Sequence, residues 1–167
     1  MRSGRCSSGE CWRAFDRTGR NQPRSLWGFN LYRVSESGQV AATTGRTYPP
    51  VTFQIDADRA AEFARSIGAD PADGVPPTFA AVYSLGVTAP QLFGDDDAAV
   101  DFMRLLHAEQ EFTWVRHPRA GESVISQGRV TSDVSRRGMR FVTFETETTD
   151  GAGKPLCHSK ALFVIRS

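Results

Sequence analysis

Gly74-Val75-Pro76-Pro77-Thr78-Phe79 and, further along, Leu106-His107-Ala108-Glu109-Gln110-Glu111-Phe112 are the stretches on which the fold turns. The first is a stiff turn, because two consecutive prolines fix φ and hold the chain extended. It enters an apolar segment that runs from Thr78 to Phe93. The second opens a block rich in β-formers that continues to the C-terminus. A sheet wrapped on the apolar segment, with a pocket where the two stretches meet, is the arrangement they predict.

Upstream, Val51-Thr52-Phe53-Gln54-Ile55 alternates apolar and polar residues as a half-buried strand does. Asp56 then stands at a helix N-cap, with Asp58 in the first turn to suit the dipole. Ala60, Phe63, Ala64 and Ile67 follow at i, i+3, i+4, i+7, which makes one apolar helix face, and Gly68 closes it. Residues 69–77 read as loop. Between Thr78 and Phe93 the period is mixed: the start suits a strand, Phe79–Leu85 suits a buried helix, and Gly86, Pro90 and Gly94 interrupt it. Asp95-Asp96-Asp97 reads as a solvated loop and helix start; no ligand pattern for Ca²⁺ follows it.

Downstream, four strands are expected at Leu105–Val115, Ser123–Ser135, Met139–Thr149 and Leu156–Arg166, joined by turns as an antiparallel meander. Along the first, His107, Glu109, Glu111 and Thr113 share one parity and Leu106, Gln110, Phe112 and Trp114 largely the other. Val124, Val130 and Val134 share one parity on the second. With the β-α unit placed before them, the fold class is α+β, a curved sheet packed on helix.

A chain of 167 residues suits one domain plus an extension. Residues 1–45 show neither a 3.6 nor a 2.0 period and are read as a disordered N-terminal extension; a short strand near Leu26–Val34 is its one structural alternative. The domain proper is 46–167. Residues 1–46 hold eight Arg against three acids, and residues 47–167 hold twelve Lys or Arg against sixteen, so the domain is mildly acidic and not suited to nucleic acid as its main ligand. No apolar run approaches the roughly 20 residues of a membrane helix, and the N-terminus lacks the apolar core of a secretory signal. Cys6, Cys11 and Cys157 read as free thiols of a reducing cytoplasm, and no metal-ligand spacing joins the cysteines or His107, His117 and His158. Neither a glycine-rich phosphate loop nor a Ser nucleophile elbow is present, and no cofactor is expected.

The ordered set Tyr48-Pro49-Pro50-Val51-Thr52-Phe53, Phe63-Ala64-Arg65-Ser66-Ile67-Gly68, Pro76-Pro77-Thr78-Phe79, His107 to Phe112, His117-Pro118, Gly121-Glu122 and Phe163-Val164-Ile165-Arg166 resembles the N-terminal, non-catalytic half of the MaoC-like dehydratases. It is similar to the HadA and HadC type subunits of mycobacterial hydroxyacyl dehydratases. The resemblance covers about residues 46–166 and implies a hotdog fold: an antiparallel sheet wrapped round a central helix and paired with a second hotdog. Catalytic halves of that family carry a loop Gly-Asp-x-Asn-Pro-x-His after the first helix. Its imidazole suits removal of the proton beside a thioester carbonyl near pH 7, and its carboxyl suits the partner role. Here the loop reads Gly68-Ala69-Asp70-Pro71-Ala72-Asp73, without Asn or His, so no catalytic residue is assigned to this chain.

The resemblance therefore implies a non-catalytic, acyl-chain-binding subunit of a heterodimeric (R)-specific 3-hydroxyacyl thioester dehydratase or enoyl-CoA hydratase, whose catalytic partner supplies Asp and His. The thioester would be carried on coenzyme A or an acyl carrier protein. Substrate-binding candidates are Pro77, Thr78, Phe79, His107, Glu109 and Gln110. For each a plainer role stands beside the functional one: Phe79 as core, His107 as a hydrogen-bonded histidine at a sheet edge. His158 is expected to face solvent. Arg136, Arg137, Arg140, Lys154 and Lys160 are either phosphate-attracting or ordinary turn charges. A stand-alone acyl-CoA-binding homodimer is the alternative, and a thioesterase would need Glu109 as its carboxylate.

Overall fold

A computed structural model describes residues 39–40 and 43–166 of the chain. The Leu26–Val34 strand, Cys6 and Cys11 lie outside them. In chain order the elements are β1 (Gln39–Val40), β2 (Val51–Gln54), α1 (Ala57–Ser66), α2 (Gly86–Phe93), β3 (Leu105–Trp114), β4 (Ser123–Arg136), β5 (Met139–Asp150) and β6 (Pro155–Arg166).

α1 begins where its cap residue predicts, with Asp56 Oδ1 accepting from the Arg59 N–H at 2.7 Å. Ala60 and Ala64 are buried, and Phe63 meets Phe79 edge-on at 5.2 Å. Ile67 departs from the expected face. It caps the helix at φ −100°, beyond the last turn, and is 51% exposed.

The mixed period between Thr78 and Phe93 has a structural cause. A 3₁₀ turn at Pro77–Phe79, a π segment at Ala81–Leu85 and α2 run on as one central helix wound three ways. Gly86 and Pro90 do not interrupt it. Gly86 sits so close to the preceding turn that a Cβ there would lie 2.9 Å from the Ala81 carbonyl oxygen. Pro90 stands inside α2, where it has no N–H to offer the ladder. The helix ends at Gly94.

The sheet runs β1-β4-β5-β6-β3, with β2 also on β4, and every pair is antiparallel. β4, β5 and β6 form the expected meander. The strand before them does not join it through β4: β3 pairs with β6 at the far edge. The link between β3 and β4 is a crossover, not a hairpin. Arg116 holds it, reaching Glu122 at 3.0 Å and Asp150 at 3.1 Å, while Ile55 donates its N–H to the Glu122 carbonyl and accepts from the Gly121 N–H. This curved sheet around a central helix is the α+β hotdog arrangement.

Two bulges correct the strand parities. An extra residue between Val130 and Ser132 turns Asp133 toward the helix and Val134 away from it. Another between His107 and Glu109 puts His107, Gln110, Phe112 and Trp114 on the helix side, with Leu106 and Glu109 on the outer side.

The core divides along the helix. Phe79, Ala80 and Tyr83 pack with Ile55, Val124, Leu156 and Cys157 at one end. Leu85, Ala89 and Leu92 pack with Val130, Phe144 and Phe163 at the other. Beside the second cluster, Asp133 is fully buried and bonded to the Thr43 hydroxyl and to Arg140 at 2.6 Å. Arg140 also donates to the Ala98 carbonyl at 2.7 Å. Asp95 is not a solvated loop residue, since it accepts from the Tyr48 hydroxyl at 2.9 Å and pairs with Arg46 at 2.7 Å. Among the described residues no helix is long and apolar enough to cross a membrane.

Candidate functional site

The N-terminal end of the central helix is where the turn chemistry and the unusual polar groups meet. Pro76 and Pro77 pin the entry, leaving Pro77 and Thr78 at the surface while Phe79 is fully buried between Phe63 and Tyr83. Phe112 and Trp114 of β3 pack against this cluster. Gln110, one step further along the same face, is half-buried. Its amide donates to Ser159 Oγ at 3.2 Å and to the Lys160 carbonyl at 3.3 Å, and its buried Oε1 has no partner.

His107 is not part of this assembly. It is exposed, with its ring 5.1 Å from Phe163, which in turn packs on Phe93 at 5.3 Å. That is the C-terminal end of the helix. At about 3.3 Å per strand residue, His107 and Trp114 stand on the order of 20 Å apart. The first stretch of sequence therefore meets the second through Phe112 rather than through its histidine. Glu109 lies on the outer face, exposed to solvent.

Three further side chains complete the inner site. The Tyr83 hydroxyl and Trp114 Nε1 are buried and adjoin each other and the Cys157 thiol without a well-aligned hydrogen bond. Burial pushes the Tyr83 hydroxyl above its ordinary range and the Cys157 thiol up to about 11. At neutral pH the thiol is protonated, so it is no nucleophile. The arrangement is an apolar cluster that holds two buried hydrogen-bond donors without a partner, and among the described residues it contains no general base. Trp114 shares the parity of Phe112 and was within reach of the strand pattern; Tyr83, inside an apolar run, carries no local signal.

The loop that would bear catalytic groups is otherwise occupied. Asp70 Oδ1 accepts from the Ala72 N–H at 2.9 Å, the work of a turn cap. His117 lies with its ring 5.4 Å from Trp114, exposed, before Pro118. His158 stands 3.5 Å from Glu145 and 3.7 Å from Glu147 on the outer face, half-exposed. The basic residues do not form one cluster: Arg140 is committed to Asp133, Arg136 lies over the Phe141 ring at 5.2 Å, and Lys154 is at the opposite end of β5. Among the described residues no group of His, Cys, Asp and Glu could hold a metal ion.

Comparison with known proteins agrees with the fold. Residues 42–159 match the family model described as FAS1-like, dehydratase domain region. A UPF0336 protein of Leifsonia xyli subsp. xyli is 33% identical over 117 residues, 70% of this chain and 73% of that protein. One of Clavibacter michiganensis subsp. michiganensis is 30% identical over 137 residues, 73% of this chain and 92% of that protein. Among solved structures, the C-terminally truncated HadBC (3R-hydroxyacyl-ACP dehydratase) complex from Mycobacterium tuberculosis superposes with a TM-score of 0.60 at 19% identity, over 75% of this chain and 99% of that chain. A MaoC-like dehydratase gives 0.63 at 20% identity, over 75% of this chain and 43% of that one. The structural likenesses carry the fold, and the sequence matches carry the kinship: this chain belongs to the FAS1-like dehydratase domain family and to the UPF0336 proteins.

Proposed function

We propose that this chain is the non-catalytic, acyl-binding subunit of a heterodimeric (R)-specific 3-hydroxyacyl thioester dehydratase or hydratase, its partner supplying the Asp and His that move protons. The observation that carries the reading is the segment 68–77. It leads into the central helix, holds no histidine, and spends its Asp70 carboxylate on its own turn. A family member with the hotdog scaffold but no proton-transfer pair at that place suits a shaping role. Two further observations support a partner. β3 ends the sheet with one side of its backbone unpaired by any described strand, and edge strands readily recruit another chain. HadBC and the ChsH1-ChsH2 assembly of Mycobacterium tuberculosis, both similar in fold, are complexes.

In this reading Pro77 and Thr78 form the rim of the acyl slot, and Phe79, Gln110, Phe112 and Trp114 form its inner wall. The purified chain should show negligible hydration of crotonyl-CoA. Co-expression with a MaoC-type hotdog bearing Asp and His should restore it, and Thr78→Trp at the rim should then raise KM more than it lowers kcat. Hydration by the lone chain at the rate of the complex, abolished by Asp70→Asn, would end the proposed division of labour.

A further inference from the structure

We propose that the outer face of the sheet carries a separate binding site for an anionic amphiphile, a single apolar chain ending in a carboxylate or phosphate. A groove of about 670 Å³ lies there, lined by Met103, Leu106, Met139 and Val164 together with Arg104 and Arg166. Strand register brings these together: Leu106 is opposite Val164, and Met139 opposite Arg166. Their neighbours Phe163 and Ile165 point into the core, so Val164 and Arg166 point away from it. The groove is thus on the other side of the sheet from the inner site, and the inference does not depend on the lyase reading.

Two features select the ligand. The first is exposed apolar surface: Met103 is 90% exposed, Leu106 63% and Met139 41%. Contiguous patches of that kind mark places where something binds. The second is charge. Among the described residues the groove is lined by two arginines and no carboxylate, and Arg136 and Arg137 stand at the adjoining turn. Asp101 pairs with Arg104 at 3.3 Å, but both side chains are about half-exposed, so water screens that pair. Residues 47–167 as a whole carry more acids than bases, twelve Lys or Arg against sixteen Asp or Glu, so a positive groove is a local construction.

Shape and charge together favour a monomeric amphiphile over other occupants. A concave site of this volume lies within the range that takes a small ligand, whereas a bilayer surface meets protrusions. A second copy docked by a two-fold contact would set this arginine patch against itself.

The test is calorimetric titration of the full chain with dodecyl phosphate below its critical micelle concentration. Saturable one-to-one binding is expected, weakened at least tenfold by Arg166→Glu and by Met139→Asp. The thermal unfolding midpoints of both variants should match the parent, since both positions are on the surface. Monomeric dodecyl maltoside and inorganic phosphate should each bind at least tenfold more weakly than dodecyl phosphate. Undiminished binding to the Arg166→Glu chain would place the ligand on the inner face and overturn the assignment. So would equal affinity for the neutral detergent, or binding confined to phosphatidylglycerol vesicles. A change in sedimenting mass on Met139→Asp would make the groove a subunit contact and overturn it too.

Discussion

The two ends of the central helix solve the same burial problem in opposite ways. At the C-terminal end the buried charges are paired, Asp133 with Arg140 and Thr43, Asp95 with Tyr48 and Arg46, and one amide oxygen, Gln91 Oε1, has no partner. At the N-terminal end, Tyr83 and Trp114 keep buried polar atoms without a partner. A buried polar group without a partner costs free energy, so proteins rarely keep one at a place with only structural work to do. The contrast separates an end held by paired buried charges from an end whose buried donors, Tyr83 and Trp114, stand unpaired. Cutting the clamp should therefore cost stability, and removing an unpaired donor should not.

The largest effect is expected at Asp133. It is fully buried, and its removal leaves the Arg140 guanidinium without its counter-charge. Asp133→Ala should lower unfolding free energy by about 3–5 kcal/mol, the usual cost of breaking one side of a buried pair. Urea denaturation reads this directly, and a loss below about 1 kcal/mol would show that the clamp is ornamental. Tyr48→Phe comes next. It removes a hydroxyl donated to a charged carboxylate at 2.9 Å and should cost about 1.5–3 kcal/mol.

A smaller, pH-dependent signature belongs to Asp95. The Tyr48 hydroxyl and the Arg46 guanidinium hold its carboxyl below the ordinary range, against the opposing effect of burial. A depressed folded-state pKa means that the unfolded chain takes up the proton first as pH falls. The stabilisation is therefore complete above about pH 4, the ordinary aspartate range, and is lost as pH drops through the folded-state value. Arg46→Gln should be less stable than the parent at pH 7, and the gap should narrow below about pH 4. A gap that stays constant down to pH 2 in acid-unfolding curves would show that the pair acts through packing alone.

These ends differ also in how far the sequence announced them. The 3.6 spacing of Ala60, Phe63 and Ala64, the Asp56 cap and the alternation of the long strands are local properties, and each is found in place. The bulges after His107 and Val130 are not local. An extra residue shows only when a partner strand skips it, so the parities assigned to His107 and Val134 were reversed. The strand order depends on which edge closes round the helix, which no turn motif records. The clamp joins residues 90 apart, Thr43 and Asp133, and reads in sequence as scattered polar residues. Of the site, the proline turn with Phe79 and the half-buried Gln110 were visible because prolines and strand parity are local. Tyr83 was hidden, because an aromatic in an apolar run looks like core until its hydroxyl is found without a partner.

The sharpest test of the contrast is the smallest expected effect. Tyr83→Phe removes only the buried hydroxyl and keeps the ring that packs on Phe79 at 6.4 Å. Deleting a polar atom that has no well-formed bond returns its desolvation cost, so stability should be unchanged or raised by up to about 1 kcal/mol. The same substitution at Tyr48 should be destabilising, which makes the two tyrosines a matched pair: one atom removed from each, with opposite expected consequences. If Tyr83→Phe instead costs as much as Tyr48→Phe, its hydroxyl is bonded to Trp114 or Cys157 as firmly as Tyr48 is to Asp95. The N-terminal end would then be a second clamp, with no oxygen of a ligand needed to complete it. If stability is unchanged while the complex with a catalytic partner loses affinity for its thioester, the hydroxyl is kept for binding, and the free energy it forgoes in folding is recovered when the acyl chain enters.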